Sequence, residues 1–255
     1  KRHSFPTRRS SDLLFLDCNI GTNYSNAIKS AMEKRKEEML VVPCKDFHKT
    51  MDKLAKENYY VKTLFASGHD GDGRVYADDE RAAIKGEFDP YIDIDRVNRK
   101  YPKMFSQIQT YYPLGCYTTA MGNVRQYIEV MPSLKFVAGY YGAAHSAHRQ
   151  VSQDYLNAVL KEEEAIFNAG SLEEFQKLTL GISSVRRDMN IGMFRNLTCP
   201  SSGTKGYALQ VDGGSDTPIR RSVLFSKEEC KKAKNEMDLK KIEYTKYSEG
   251  ELDAP

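Results

Sequence analysis

The sequence contains no apolar run that approaches the ~18 residues a membrane-spanning helix needs, so we expect no membrane partner. It also contains no CxxC pair. An odd, dispersed set of cysteines argues against a structural zinc site and against a disulfide framework, and it predicts at least one free thiol. The five cysteines are Cys18, Cys44, Cys116, Cys199 and Cys230.

The sequence also has no excess of positive or negative charge when residues 1–13 are left out. Residues 1–13 (KRHSFPTRRSSDL) have no period and no apolar face, and residues 3–13 resemble a translated short-read sequencing adapter. We therefore treat residues 1–13 as non-native; a basic arm for nucleic acid is the alternative. This segment carries the whole formal net charge of +3, and the rest has 34 basic and 34 acidic residues. No nucleic-acid partner is expected from so balanced a chain.

A signal peptide could have preceded this segment, so we predict no compartment. The sequence does not predict an oligomeric state either.

Strand-like apolar runs alternate with helix-like segments from residue 14 to residue 142, which is typical of βαβ units and a parallel sheet. We predict strands at 13–18, 40–43, 61–67, 108–114 and 135–140. Helices are predicted at 25–38 (N-cap Ser25 or Asn23), 46–58, 89–101, 121–131, 150–168 and 171–182. The predicted fold is a three-layer α/β/α domain over 14–183, with a mainly parallel sheet of strand order 2-1-3-4-5. Residues 184–255 are predicted to be a weakly structured extension with short strands at 207–211 and 222–225.

Two motifs follow neighbouring strands of this predicted sheet: SGHDGDG at 67–73 and LGCYTTA at 114–120. Because the carboxyl ends of parallel strands meet at one edge, His69 and Cys116 are expected to project from the same edge. A thiolate beside an imidazole is the minimal equipment for nucleophilic catalysis. The sequence therefore predicts a Cys116/His69 dyad.

Backbone groups beside these two residues are candidates for binding an oxyanion. The N–H groups of Cys116 and of Asp70, the residue after His69, could receive the negative charge jointly. Gly68 and Gly71 would let the chain turn around His69, and Gly115 would do the same beside Cys116.

The segments LFLDCN, LFASGHDG and YYPLGCYT, with the histidine and cysteine 47 residues apart, resemble the caspase-like cysteine peptidases, the group that includes legumains, gingipains, metacaspases and separases. The resemblance covers residues 14–142. It implies an α/β/α fold, a peptide or protein substrate, and chemistry without a metal or other cofactor. By this match His69 is the general acid/base and Cys116 the nucleophile.

Two positions depart from the family pattern. Members usually have glycine directly after the histidine, where this chain has Asp70, and many have an acidic residue before the nucleophile, where it has Leu114-Gly115. A catalytically inactive caspase-like module that binds peptides or proteins is therefore an alternative hypothesis.

Other side chains near the predicted edge are candidates for contacting substrate. Asp17 could select a basic side chain, although a strand-end aspartate is as often a turn cap. Cys18 is assigned to core packing. The full set of candidate substrate-binding residues is Asp17, Asn19, Tyr117, Tyr140 and Tyr141.

Metal-binding interpretations are weaker, and we predict no metal site. Asp70, Asp72 and Asp79 fall at calcium-loop spacing, but a strand rather than a helix precedes them. His145 and His148 form an H-x-x-H without a third ligand nearby. A flavodoxin-like or receiver-like domain that holds a metal ion near Asp17 is a third hypothesis for function.

Overall fold

The computed structural model describes residues 13–18, 23–71, 74–76, 92–119, 121–140, 144, 150–168, 174, 177–178, 182, 189–195, 205–210 and 223–224. Its strands are β1 (Leu13–Asp17), β2 (Met39–Pro43), β3 (Thr63–Ser67), β4 (His69–Gly71), β5 (Arg74–Tyr76), β6 (Ile92–Asp93), β7 (Thr110–Leu114), β8 (Phe136–Tyr140), β9 (Met189–Arg195), β10 (Lys205–Gln210) and β11 (Val223–Leu224). Its helices are α1 (Asn23–Arg35), α2 (Phe47–Lys56), α3 (Ile94–Lys100), α4 (Pro102–Phe105), α5 (Met121–Val130) and α6 (Gln150–Asn168), with a 3₁₀ turn at Cys44–Asp46.

The main sheet has eight strands in the order β11-β10-β9-β8-β7-β3-β1-β2. Its five strands from β8 to β2 are parallel, which confirms the predicted α/β class with a mainly parallel sheet. The complete order differs from the prediction, because β9, β10 and β11 extend the sheet beyond β8 in antiparallel fashion. Strand β9 (MNIGMFR) was not predicted. Antiparallel pairing is made by backbone N–H and C=O groups, which every residue except proline supplies. A strand that contains Asn and Gly therefore shows little of the β-branched and aromatic composition that predicts strands.

Helices cover both faces of the parallel strands, because successive side chains along each strand point to opposite faces. Leu14 and Leu16 of β1 pack with buried residues of α2, α3, α4 and α5. Phe15, the residue between them, packs with buried residues of α1 and α6 on the other face. These two apolar clusters give the domain its three layers. None of the helices in the described ranges combines the length and the apolar character that crossing a bilayer requires.

The start of α1 differs from its prediction. The helix begins at Asn23, so Ser25 lies inside it and is not an N-cap. Its hydroxyl donates a hydrogen bond to Asp17 Oδ2 at 2.8 Å, and both side chains are buried. The predicted helix at 89–101 is also shorter: β6 precedes α3, and Asp93 caps that helix by accepting from the Arg96 N–H at 2.9 Å.

Cys18 and Cys44 form a disulfide, which corrects the expectation that the cysteines do not pair. Each follows the last residue of a parallel strand, and β1 and β2 pair so that Asp17 lies opposite Pro43. The next residues along the two strands are therefore neighbours, with Cα atoms 4.9 Å apart, within the range that a disulfide bridges. The sequence signal was present in the two strand ends LLFLDC and LVVPC, but not in the spacing of the cysteines.

A partly buried polar cluster joins α1, α6 and β7. Arg35 Nη1 lies 2.5 Å from Glu163 Oε2, and the Tyr112 hydroxyl donates to Glu163 Oε1 at 2.7 Å. Tyr112 is fully buried, and this burial, with Glu163 as the next largest cause, raises its pKa well above the usual value.

Tyr112 should make the protein sensitive to alkali. A raised folded-state pKa means that its contribution to stability is complete below the unfolded pKa of about 10 and is lost as pH rises above it. We expect Tyr112→Phe to cost about 1 kcal/mol at pH 7, because the bond to Glu163 disappears. Above pH 10 the free energy of unfolding of Tyr112→Phe should fall less steeply with pH than that of the wild type. The two slopes should differ by up to about 1.4 kcal/mol per pH unit.

Urea unfolding at pH values from 7 to 11 measures both effects. Tyr117→Phe, which alters an exposed ring, is the matched control. Parallel stability curves for wild type and Tyr112→Phe above pH 10 would contradict the prediction.

Candidate functional site

The register of β3 and β7 positions the two motifs at one edge of the sheet. Ser67, the last residue of β3, pairs with Leu114, the last residue of β7. His69 and Cys116 each lie two residues further along, so their backbones leave adjacent strands at the same height. Neighbouring strands lie about 4.8 Å apart. The Cys18 N–H donates to the Ser67 carbonyl at 2.8 Å and ties β1 to this edge.

His69 lies in a short strand rather than in the turn that the sequence predicted. Strand β4 follows β3 after one residue and leads a separate three-stranded antiparallel sheet with β5 and β6. In it His69 pairs with Tyr76 and Asp70 with Val75. The side chains of His69 and Asp70 lie outside the described part of the chain. Ladder pairing of β4 with β5 constrains the backbone of His69.

Cys116 has a free thiol and is half-buried. The residue after it, Tyr117, has a φ of 56°. This lies in the left-handed region of backbone conformation, which residues other than glycine rarely adopt. Tyr117 is 53 % exposed, and among the described residues it is the large apolar residue that is exposed to solvent. A residue in this conformation needs contacts that hold it there. Lys36 and Asn58, which follow α1 and α2, have a similar φ, so the angle alone does not mark a functional site.

Thr118 fastens this turn to two strands. Its buried hydroxyl donates to the Pro113 carbonyl of β7 at 2.8 Å, with the Gly115 carbonyl at 3.2 Å. It also accepts from the Tyr140 N–H of β8 at 3.1 Å. Thr119 adds a backbone bond, from its N–H to the Tyr140 carbonyl at 2.9 Å.

Gly139 allows the turn to lie against β8. A Cβ at this position would come within 2.7 Å of the Pro113 carbonyl oxygen and of Thr118 Oγ1, and within 2.9 Å of Thr119 Cγ2. Such distances are shorter than real contacts, and the first involves backbone that cannot rotate away. Only glycine fits here without displacing the turn.

We expect Gly139→Ala to destabilise the fold by about 1–3 kcal/mol, the usual cost of overpacking, and to change the reactivity of Cys116 as the turn shifts. Thermal unfolding and the rate of thiol alkylation measure the two effects. A Tm equal to that of the wild type would contradict the prediction, because it would mean that β8 and the turn can move apart without cost.

Asp17 and Tyr140, predicted to contact substrate, are 1 % and 0 % exposed. The Asp17 carboxylate accepts from Ser25, and the Tyr140 hydroxyl is hydrogen-bonded to that of Tyr24. We assign both side chains to the packing beneath the edge. Burial, followed by the neighbouring Tyr140, strongly raises the pKa of Tyr24, so the Tyr24 hydroxyl stays protonated.

Gly68 and Gly115, predicted to shape the backbone near the oxyanion, are both buried beside the strand ends. Gly71 lies in β4 opposite Arg74. Asn19, Tyr141 and the H-x-x-H pair lie outside the described residues, as does most of the calcium-like loop. Within the described ranges, no three potential metal-ligating side chains converge.

Sequence reasoning missed Ser67, Thr118 and Asn123. The Ser67 hydroxyl is buried and has no hydrogen-bond partner among the described residues, although it lies two residues before His69. Asn123 Nδ2 donates to the Tyr117 carbonyl at 2.9 Å. The available sequence signal was the run of small polar residues after the cysteine (CYTTAMGN). This run does not indicate which hydroxyl or amide group hydrogen-bonds to the backbone of the turn.

No protein-family model matches this chain, and a search among curated proteins finds no match.

Proposed function

We propose that this protein is a cysteine endopeptidase of the caspase-like type, with Cys116 as nucleophile and His69 as general acid/base. The observation that carries the proposal is the Ser67–Leu114 register, because it sends the two residues out of adjacent parallel strands at equal distance from the sheet. The half-exposed free thiol of Cys116 supports it, since a nucleophile needs to be reachable by substrate.

The reaction would proceed in two steps. The Cys116 thiolate attacks the carbonyl carbon of a peptide bond and forms a C–S bond, and the C–N bond then breaks as the His69 imidazolium gives its proton to the leaving amine. Water, deprotonated by the imidazole, then attacks the thioester, which releases the carboxylic acid and restores the thiol. The backbone N–H groups of Cys116 and Asp70 are the proposed donors to the tetrahedral oxyanion.

The substrate is a peptide or a protein. Tyr117 is the proposed contact with the residues beside the scissile bond, because its exposed ring directly follows the nucleophile. An aromatic face at such a position offers apolar area at low entropic cost.

Selective alkylation tests the proposal. We expect iodoacetamide or a peptidyl acyloxymethyl ketone to modify Cys116 faster than it modifies free cysteine, and His69→Ala to remove this advantage. His48→Ala, which changes the histidine of α2, is the matched control. Mass spectrometry of tryptic peptides locates the modified residue and gives its rate.

Equal rates for Cys116 and free cysteine, unaffected by His69→Ala, would overturn the proposal. Peptide binding that persists in Cys116→Ala, without turnover by the wild type, would instead favour the non-catalytic binding module. The observation that favours this second function is Asp70, which stands where the caspase-like peptidases usually have glycine.

A further inference from the structure

We propose that Asn123 is a positioning residue for the turn at Gly115–Thr119, hereafter the Cys116 turn. In this proposal its side chain holds Tyr117 in the left-handed conformation and thereby fixes the peptide groups on either side of the nucleophile. The catalytic meaning of this inference rests on the proposed function, whereas its conformational part concerns the turn alone.

The conformation of Tyr117 needs support from its surroundings. A φ of 56° is disfavoured for an L-residue with a side chain, by a factor of roughly 5–30 in population. Tyr117 is 53 % exposed, so the packing of its own side chain supplies little of the missing stabilisation. Contacts of the backbone must supply it.

Two side chains hold the backbone on the carboxyl side of Tyr117. On the carboxyl side, Thr118 is bound to Pro113 of β7 and to Tyr140 of β8. Asn123 binds the carbonyl of Tyr117 itself, at 2.9 Å. It lies in the first turn of α5, and that helix is anchored in the core by the buried side chains of Tyr127 and Val130. The Tyr117 peptide is thus connected to a helix as well as to the sheet.

Cys116 lies between two constrained neighbours. Gly115 is buried on its amino side, and Tyr117, whose carbonyl Asn123 binds, follows on its carboxyl side. The direction of the Cys116 thiol and N–H group therefore depends on both neighbours. Relaxation of Tyr117 to a negative φ would rotate the peptide that joins it to Cys116. Preorganised donors and nucleophiles lose rate when they are displaced by even 1 Å.

A double-mutant cycle tests this role. Asn123→Ala removes the donor, and alanine is the better helix former, so α5 itself is not weakened. Tyr117→Gly removes the need for the donor, because glycine adopts positive φ without penalty. We expect Asn123→Ala to lower the alkylation rate of Cys116 about fivefold in the wild-type background and less than twofold in the Tyr117→Gly background.

Rates are measured with iodoacetamide from pH 5 to 9, to separate a change in thiol ionisation from a change in accessibility. Asn157→Ala, an exposed asparagine of α6, is the control and should change neither. With a turnover assay, Asn123→Ala should lower kcat and leave KM within about twofold, since uniform binding is not affected.

An Asn123→Ala effect of the same size in both backgrounds, or none in either, would overturn the positioning role. If the alkylation rates follow the expected double-mutant cycle but the protein hydrolyses no peptide, the proposed function is overturned and the positioning role of Asn123 stands. Should Asn123→Ala unfold the protein, a higher Tm of Tyr117→Gly compared with wild type remains as the measure of conformational strain, and an unchanged or lower Tm would contradict it.

Discussion

Replacing Cys116 by alanine should reduce peptide hydrolysis by at least about 10³-fold, and His69→Ala should reduce it by a similar factor. The two residues leave paired strands at matching positions, and a thiol without a base, or a base without a thiol, cannot complete acyl transfer. The double variant should therefore be no slower than either single variant, because residues that act as one unit are not additive. Initial rates on a mixture of fluorogenic peptides measure all three.

The fold must be shown to survive these changes. Cys116 is half-buried and unbonded, so Cys116→Ala should keep the Tm of the wild type within a few degrees. His48→Ala controls for loss of any histidine. A double variant whose loss of rate equals the product of the two single losses would mean that His69 and Cys116 act independently, which would contradict the proposed dyad.

Removal of the Cys18–Cys44 disulfide should lower the free energy of unfolding by about 3.5 kcal/mol. The sequence separation is 26 residues, and chain entropy for a loop of that length gives roughly this value. The loop contains α1, whose buried face contributes Tyr24, Ala27 and Ile28 to the core, so loosening it affects packing as well. For a chain of this size the corresponding fall in Tm is about 10 °C.

The double variant Cys18→Ala/Cys44→Ala, unfolded in guanidinium with and without dithiothreitol, measures the effect. Dithiothreitol should destabilise the wild type and leave the variant unchanged. Cys116→Ala, which alters a free thiol, should respond to dithiothreitol as the wild type does. Wild-type stability that is insensitive to reductant would contradict the prediction.

The parallel core could be predicted from sequence because its signals are local. Short apolar runs bounded by turn residues mark each strand, and the stripe Phe47, Met51, Leu54 marks the buried face of α2. The order of these five strands follows from general rules on crossover connections. Strand β9 and the small sheet of β4, β5 and β6 were missed. Strands of two or three residues are too short to show such a pattern, and an edge strand paired through its backbone need not show one.

The two residues of the proposed dyad could be named from the sequence, and their chemistry stays a prediction; the contacts that support the Cys116 turn could not be named. Cysteine and histidine after neighbouring strands are visible in the sequence, whereas the bonds of Thr118 and Asn123 depend on how a five-residue turn folds back. The burial of Asp17 and Tyr140 was equally hidden, since a strand-end position alone does not say whether a side chain faces solvent or an adjoining helix.

The disulfide also determines which sulfur atoms can meet an electrophile. Of the three cysteines in the described ranges, two are already oxidised to each other, and Cys116 alone retains a thiol. Within these ranges, chemical tethering of fragments, spin labels or fluorophores would thus proceed at one atom, beside the exposed Tyr117; Cys199 and Cys230 lie outside the described residues. Cys44 cannot serve as an internal reference thiol unless the protein is first reduced.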